Sequence, residues 1–334
     1  VGDNLKTLKL CMLGSRGHYN YVFQSIADVP HVNISGISSG CEDSIEPLLS
    51  NADKHGFNPQ VYDNYRKMLD KESPDIVCID GPFDLHAEMC MEAIGRDINI
   101  FCEKPIALTL DDLHKIEALH AKHPVKLISM VGMRYEPAFY MAQTLLKSGR
   151  IGKVKLIQVQ KSYKLKTRPD YYKERSSYGG TIPWVGSHAI DLIMFFGGND
   201  FSSVYASQTT SDNFGYGELE IAAQCHFVMK SGLMASASLD FLRPEGAETH
   251  GDDRIRIAGT HGVIEIFNGN IIVTDSEKQN IIDSPASDRE IFSDFVFDVL
   301  GERKALVDAE QTFLLTNICL QARQSADTGQ IIHL

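Results

Sequence analysis

The hexapeptide Gly14-Ser15-Arg16-Gly17-His18-Tyr19 follows an apolar run and precedes a helical stretch. At such a junction free backbone N–H groups and a helix dipole meet an anion, so the chemistry suggested is phosphate binding. A dinucleotide fingerprint has glycine at three positions. Gly14 fits the first, Arg16 and Tyr19 occupy the other two, and Gly17 is an extra. A plain strand-to-helix turn is the competing reading. The second apolar run ends in Ile37-Ser38-Ser39-Gly40, without the acid that commonly holds ribose hydroxyls. Nothing in that tetrapeptide repels a 2′-phosphate. Its serine hydroxyls, the Gly40 N–H and the charge of Arg16 could bind one, or the segment is only a polar loop.

Three further groups could carry chemistry. Tyr163, Lys164, Arg168, Tyr171 and Tyr172 cluster before the Gly179-Gly180 pair. Aromatic faces with hydrogen-bonding groups suit a sugar ring; a polar loop with long side chains lying along the surface is the alternative. His188 opens a helical stretch, with Asp191 one turn further on the same face. Histidine titrates near neutral pH unaided. Asp191 could orient it, contact substrate, or favour a helix N-terminus. Trp184, the single tryptophan, could stack on a sugar or an aglycone, or fill the core. His250, His261 and Asp252-Asp253 lack metal-ligand spacing and are expected to be solvated loop residues. No metal is expected.

These groups need a scaffold, and the hydrophobic pattern supplies one. Apolar runs at 8–13, 31–38, 61–62, 76–79, 98–102 and 126–130 alternate with helical patterns at 45–55, 64–71, 86–94 and 110–120. Strands separated by helices imply right-handed crossovers and a parallel sheet, with ligands at the strands' carboxyl ends. After residue 131 the rhythm changes. A helix at 137–148, a long strand at 153–164 and a helix at 187–196 precede runs at 203–209, 219–230, 233–241, 253–258, 263–267 and 271–274. That spacing predicts a large, mostly antiparallel open sheet. Lys230-Ser231-Gly232 and Asn268-Gly269-Asn270 are the expected hairpin turns. Two helices, 287–300 and 308–326, close the chain. The expected fold class is α/β: a doubly wound Rossmann domain at 1–130, then an α+β substrate and oligomerisation domain at 131–334. An open sheet face needs cover, which predicts a homo-oligomer, dimer or tetramer.

The chain has 334 residues and a net charge of −12, so a phosphate backbone is repelled and nucleic acid is an unfavourable partner. No run approaches the roughly 20 apolar residues of a membrane span. Residues 1–9 show no leader pattern. The seven cysteines are scattered and odd in number, and are expected to be reduced thiols in a cytoplasmic protein.

Glu103-Lys104-Pro105 directly follows the run ending at Cys102. This triplet resembles the E-K-P motif of the Gfo/Idh/MocA oxidoreductases. Pro82-x-x-x-His86 resembles the family's P-N-x-x-H element, with Phe83 where Asn is usual. Gly132-Met133-Arg134-Tyr135-Glu136-Pro137 looks like its domain-crossing segment. Gly179-Gly180 followed by Gly186-Ser187-His188-Ala189-Ile190-Asp191 is similar to its catalytic element. The likeness covers nearly the whole chain. It implies a Rossmann domain, NAD or NADP as cofactor, and a carbohydrate or polyol substrate. It also implies Lys104 and His188 as acid–base groups, with Glu103, Pro82 and His86 near the cofactor and Arg134 near the substrate. Trp184 stands where many relatives carry Asp.

Oxidising an alcohol sends a hydride to the nicotinamide while a base takes the hydroxyl proton. A base works best with a pKa near the working pH, which His188 has by nature. Lys104 needs burial to lower its pKa, yet even protonated it could polarise the oxygen. The reverse assignment stays open. A cis bond before Pro105 is expected. Two other functions fit the same residues. One is glycoside cleavage by transient oxidation and elimination. The other is a non-catalytic sugar or nucleotide sensor.

Overall fold

The computed structural model describes residues 7–29 and 31–334. Residues 1–9, expected to carry no leader, lie mostly outside them. The chain divides into two compact units, one running to Gly132 and including Arg289–Phe313, the other comprising Met133–Asp288 and Leu314–Leu334.

The first unit is built on six parallel strands: β1 (Leu8–Leu13), β2 (Val32–Ser38), β3 (Gln60–Val61), β4 (Ile76–Ile79), β5 (Asn99–Cys102) and β6 (Leu127–Ser129). Their spatial order is β3-β2-β1-β4-β5-β6, the doubly wound arrangement in which the order reverses beside β1. All four residues of β4 are buried, because a strand covered on both faces must be apolar throughout. Helices His86–Ile94 and Leu110–His120 lie where the pattern placed them. Thr109 caps the second by accepting the Asp112 N–H.

The closing segment departs from the expected single boundary at 130/131. Residues 289–313 belong to the first unit, not the second. The reason is aromatic packing: Phe292 and Phe295, on the helix Ile291–Leu300, set their rings 5.4 and 5.6 Å from Phe101 of β5. The Ser129 N–H also donates to Thr312 Oγ1 at 3.0 Å.

The second unit carries nine strands. They are β7 (Val154–Tyr163), β8 (Phe201–Thr209), β9 (Ala222–Met229), β10 (Met234–Asp240), β11 (Gly251–Gly259), β12 (Gly262–Phe267), β13 (Asn270–Asp275), β14 (Gln279–Ile282) and β15 (Ile332–His333). The order is β14-β13-β12-β11-β7-β10-β9-β8-β15. Only the β7–β10 pairing is parallel. Asn268 and Gly269, both with positive φ (49° and 73°), make the tight turn that joins β12 to β13. Ile157, Val159 and Lys161 of β7 are buried on one face, against the helix Ser187–Gly197. Register places Tyr205, Met234, Phe267 and Ile281 together on the opposite face, all exposed. The short edge strands β14 and β15 were not anticipated. Among the described residues all seven cysteines are free thiols, and no helix is long and apolar enough to cross a membrane.

Candidate active site

In the first unit, four strand ends meet around a rebuilt turn. Gly14 adopts φ 81°, and a Cβ there would lie 2.3 Å from the Gly81 Cα, so only glycine fits between the ends of β1 and β4. Asp80, directly after β4, is fully buried. It accepts the backbone N–H groups of Gly17 and Tyr19 at 2.7 Å each. The Arg16 N–H donates to the Asp80 carbonyl at 2.9 Å. The departures from the three-glycine pattern are thus coupled. A Cβ on Gly17 would sit 2.7–2.8 Å from atoms of Glu103 and Asp80, so that glycine makes room for two carboxylates. Burial, and then Glu103, pushes the Asp80 carboxyl well above its ordinary pKa.

Glu103 is also fully buried. His18 donates to it from Nδ1, 2.9 and 3.0 Å from the two oxygens, and Lys104 Nζ lies 3.4 Å away. Burial alone would raise the Glu103 pKa, but His18 and Lys104 outweigh it and hold the carboxyl below its usual range. Lys104 is 3% exposed and precedes a cis peptide bond to Pro105. His86 sets its ring nitrogens 2.9 Å from the Pro105 carbonyl and 3.1 Å from that of Gly81, tying the segment after β5 to that after β4 at Pro82. Burial pushes the His86 imidazole's pKa down against the pull of the two carbonyls.

The end of β2 corrects one expectation. A carboxylate does stand near it: Asp43 grips the Arg16 guanidinium through both Nε and Nη2. Ser38 is fully buried, and Ser39 and Gly40 bond within their own loop. Arg16 holds the Asp43 carboxyl below its usual range.

In the second unit, His188 is 4% exposed at the start of the helix Ser187–Gly197. A π-helical turn, Ile182–Gly186, precedes it; such turns recur at functional sites. The Gly179-Gly180 pair, with φ of 88° and 102°, leads into that turn. The pair is held from two sides. Glu220, 0% exposed, accepts the Thr181 N–H at 2.9 Å and the Tyr178 hydroxyl at 2.6 Å, and pairs with Arg175. Arg323 donates to the Gly179 carbonyl at 2.6 Å.

Trp184, half-buried, packs against Tyr172 (4.3 Å), Phe241 (5.9 Å) and the Arg168 guanidinium (5.5 Å). Tyr171 sits 4.4 Å from Tyr172. A cavity of about 670 Å³, lined by Thr167, Phe214, Tyr216, Phe241 and Leu242, shares the Phe241 wall with this cluster.

Arg134 and Asp191, expected at the substrate, are turned to one another: Arg134 Nε lies 2.9 Å from both Asp191 oxygens and Nη2 lies 2.7 Å from one. Both are at most 2% exposed. Burial raises the Asp191 pKa against the pull of Arg134. Asp252 and Asp253 are not loop residues; they belong to β11, and Asp253 pairs with Lys161 of β7 at 2.6 Å. His250 stacks on Tyr163 with centroids 5.2 Å apart. Lys161 is buried and was missed from sequence. Burial pulls its pKa down, but Tyr163 and Asp253 outweigh burial and hold it above an ordinary lysine's. Its ammonium is thereby tied to the Asp253 carboxylate of the neighbouring strand. Among the described residues no group of three or more His, Cys, Asp or Glu could hold a metal.

Residues 8–131 match the model of the oxidoreductase family with an NAD-binding Rossmann fold, and residues 139–265 match the GFO/IDH/MocA C-terminal domain. An oxidoreductase of Thermotoga maritima is 43% identical, with a TM-score of 0.95 over 98% of this chain and 100% of that one. The oxidoreductase YrbE of Bacillus subtilis is 28% identical over 72% of this chain and 67% of its own length. Inositol 2-dehydrogenase of Salmonella typhimurium is 23% identical over 58% of this chain, and the match spans about half (54%) of that enzyme. With both of its domains matched, the chain belongs to the Gfo/Idh/MocA family of NAD-binding oxidoreductases.

Proposed function

We propose that the chain is a dehydrogenase acting on a ring or chain hydroxyl of a sugar, glycoside or polyol. One observation carries the reading: Lys104, buried at the carboxyl end of β5, is held by a Glu103 that His18 grips in turn. A lysine fixed at that end of a doubly wound sheet is placed for a ligand rather than for solvent. NAD, when bound, supplies the hydride-accepting ring. The segments Gly14–Tyr19 and Ser38–Asp43 would hold it, with Pro82 and His86 bracing the floor.

Lys104 orients and polarises the reacting oxygen, and His188 takes the hydroxyl proton. The Arg134–Asp191 pair steadies the helix that presents His188. Tyr163, Arg168 and Trp184 offer faces and donors to a sugar ring, and the buried Tyr172 backs Trp184. The cavity beside Phe241, about 670 Å³, lies within the size range of small-molecule sites. The inositol 2-dehydrogenase relatives act, by name, on a polyol, which agrees with this substrate class. The exposed Tyr205, Met234, Phe267 and Ile281 suit a homo-oligomer through the outer sheet face, with Tyr205→Glu shifting its mass by light scattering.

The test follows reduced nicotinamide by absorbance with NAD⁺ or NADP⁺ and a panel of myo-inositol, D-glucose, D-xylose and methyl β-D-glucoside. Net reduction is expected with at least one of them. Lys104→Ala and His188→Ala should each lower turnover about 10²-fold or more while melting like the parent. Near-normal rates in both variants would remove the site assignment.

A further inference from the structure

A cation beside the aromatic cluster of the second unit bears on the charge of the substrate, an inference that rests on that unit holding a sugar. Arg134, Arg150, Arg175, Arg243, Arg254 and Arg256 of the same unit each pair with a carboxylate. Arg168 does not. Its guanidinium lies over the rings of Trp184 and Phe241, 5.5 and 5.4 Å from their centroids. It meets a single acceptor, the Lys164 carbonyl, 3.2 Å from Nη2, and its Nε is buried without a hydrogen-bond partner. Aromatic faces hold a guanidinium without consuming its N–H donors, which lie in its plane.

The charge around Arg168 is predominantly positive. Lys164, 8% exposed, donates from its ammonium to the carbonyls of Glu245 and Ala247. Lys166 lines the neighbouring cavity of about 670 Å³. Among the described residues neither lysine is paired with a carboxylate. Glu245 is the single acid among the residues lining that cavity, and Arg243, which also lines it, is paired with Asp252. Burial, and then Arg168, Lys166 and Lys164, hold the His250 imidazole below its usual range. In a chain of net charge −12, three cations without acid partners beside one cavity suit an anion. The rings of Trp184 and Phe241 suit the faces of a sugar. A planar fork of N–H donors suits a carboxylate.

We propose that the second unit takes an acidic sugar, a uronic acid or its glycoside, and that Arg168 receives the substrate's carboxylate. Lys166 adds attraction from the cavity wall. A neutral sugar leaves the guanidinium unanswered, so Arg168 sets the preference between the two classes.

Trp184 is the chain's single tryptophan and lies against Arg168, so its fluorescence reports on this site. The purified chain is titrated with methyl β-D-glucuronide, methyl β-D-glucoside and D-glucose 6-phosphate at fixed ionic strength. The glucuronide should bind about 10-fold tighter than the glucoside, or more. Arg168→Gln should bring the two glycosides to within about 3-fold of one another. Arg168→Lys replaces it if Arg168→Gln melts early, and should lose part of the preference because it lacks the fork. Equal binding of the two glycosides in the parent, a preference untouched by the substitution, or no response to any of the three overturns the assignment. Tighter binding of the phosphate than of the glucuronide overturns the choice of a carboxylate. Reduction of NAD⁺ is followed separately. Selective binding of the glucuronide without reduction would remove the dehydrogenase reading and leave the acidic-sugar site standing.

Discussion

Both units bury charge, and the turn after β1 satisfies part of it with backbone N–H groups where Arg134 and Lys161 of the second unit rely on side chains. Beneath the turn after β1, Asp80 is answered by two backbone N–H groups, and Glu103 by its sequence neighbour Lys104 and by His18 of the turn. In the second unit, Arg134 is answered by Asp191, and Lys161 of β7 by Asp253 of β11. A carboxylate bonded to backbone sets the shape of a turn. A side-chain pair sets the position of an element, and losing either partner leaves an orphaned buried charge.

That contrast can be broken or sharpened by substitution. The largest effect is expected for Asp191→Ala, which removes the carboxylate paired with Arg134 at 2% exposure and should cost about 3–5 kcal/mol in urea unfolding. Arg134→Met combined with Asp191→Leu should recover much of that loss. A cost near zero for Asp191→Ala would mean that the pair holds nothing.

A smaller loss is expected at the turn. Gly14→Ala forces a Cβ to within 2.3 Å of Gly81 at φ 81°, a strain on the order of 1–3 kcal/mol. It should weaken NADH binding more than it lowers the melting point. An unchanged NADH affinity would detach this turn from the cofactor.

The smallest effect is conditional on pH. Burial opposes ionisation of Glu220, but Tyr178, the Thr181 N–H and Arg175 outweigh it and hold the carboxyl below its ordinary value of 4.5. A carboxyl depressed by folding adds stability above its unfolded pKa and loses it as pH falls through the folded one. The parent should therefore melt above Glu220→Gln at pH 7, and the gap should close progressively below about pH 4.5. A gap that stays constant into acid would show that the charge itself contributes nothing.

What the sequence reveals follows the same division. Features made by neighbours along the chain were readable. The glycine after β1, the Glu103-Lys104-Pro105 segment and the strand–helix alternation of the first unit all lie where the pattern set them. Features made by register or by distant elements were not. Asp43 reaches Arg16 only because two loops lie side by side, and Glu220 reaches the Gly179-Gly180 turn from far along the chain. Lys161 had a signal: alternation puts it on the face of Ile157 and Val159, so a charge there had to be buried and paired. Asp80 had one too, as an acid immediately after a wholly apolar strand. The return of residues 289–313 to the first unit depends on aromatic contacts that no periodicity encodes.

The position of β7 bears on how the second unit assembles. It comes first in sequence among the nine strands, yet lies between β10 and β11 in space. The β8–β9–β10 meander and the β11–β14 meander are each local and can form without it. Joining them requires one early segment to find two late edges, a slow step of high contact order. Hydrogen-bonded to both β10 and β11, β7 should have amides that exchange only when the two halves part.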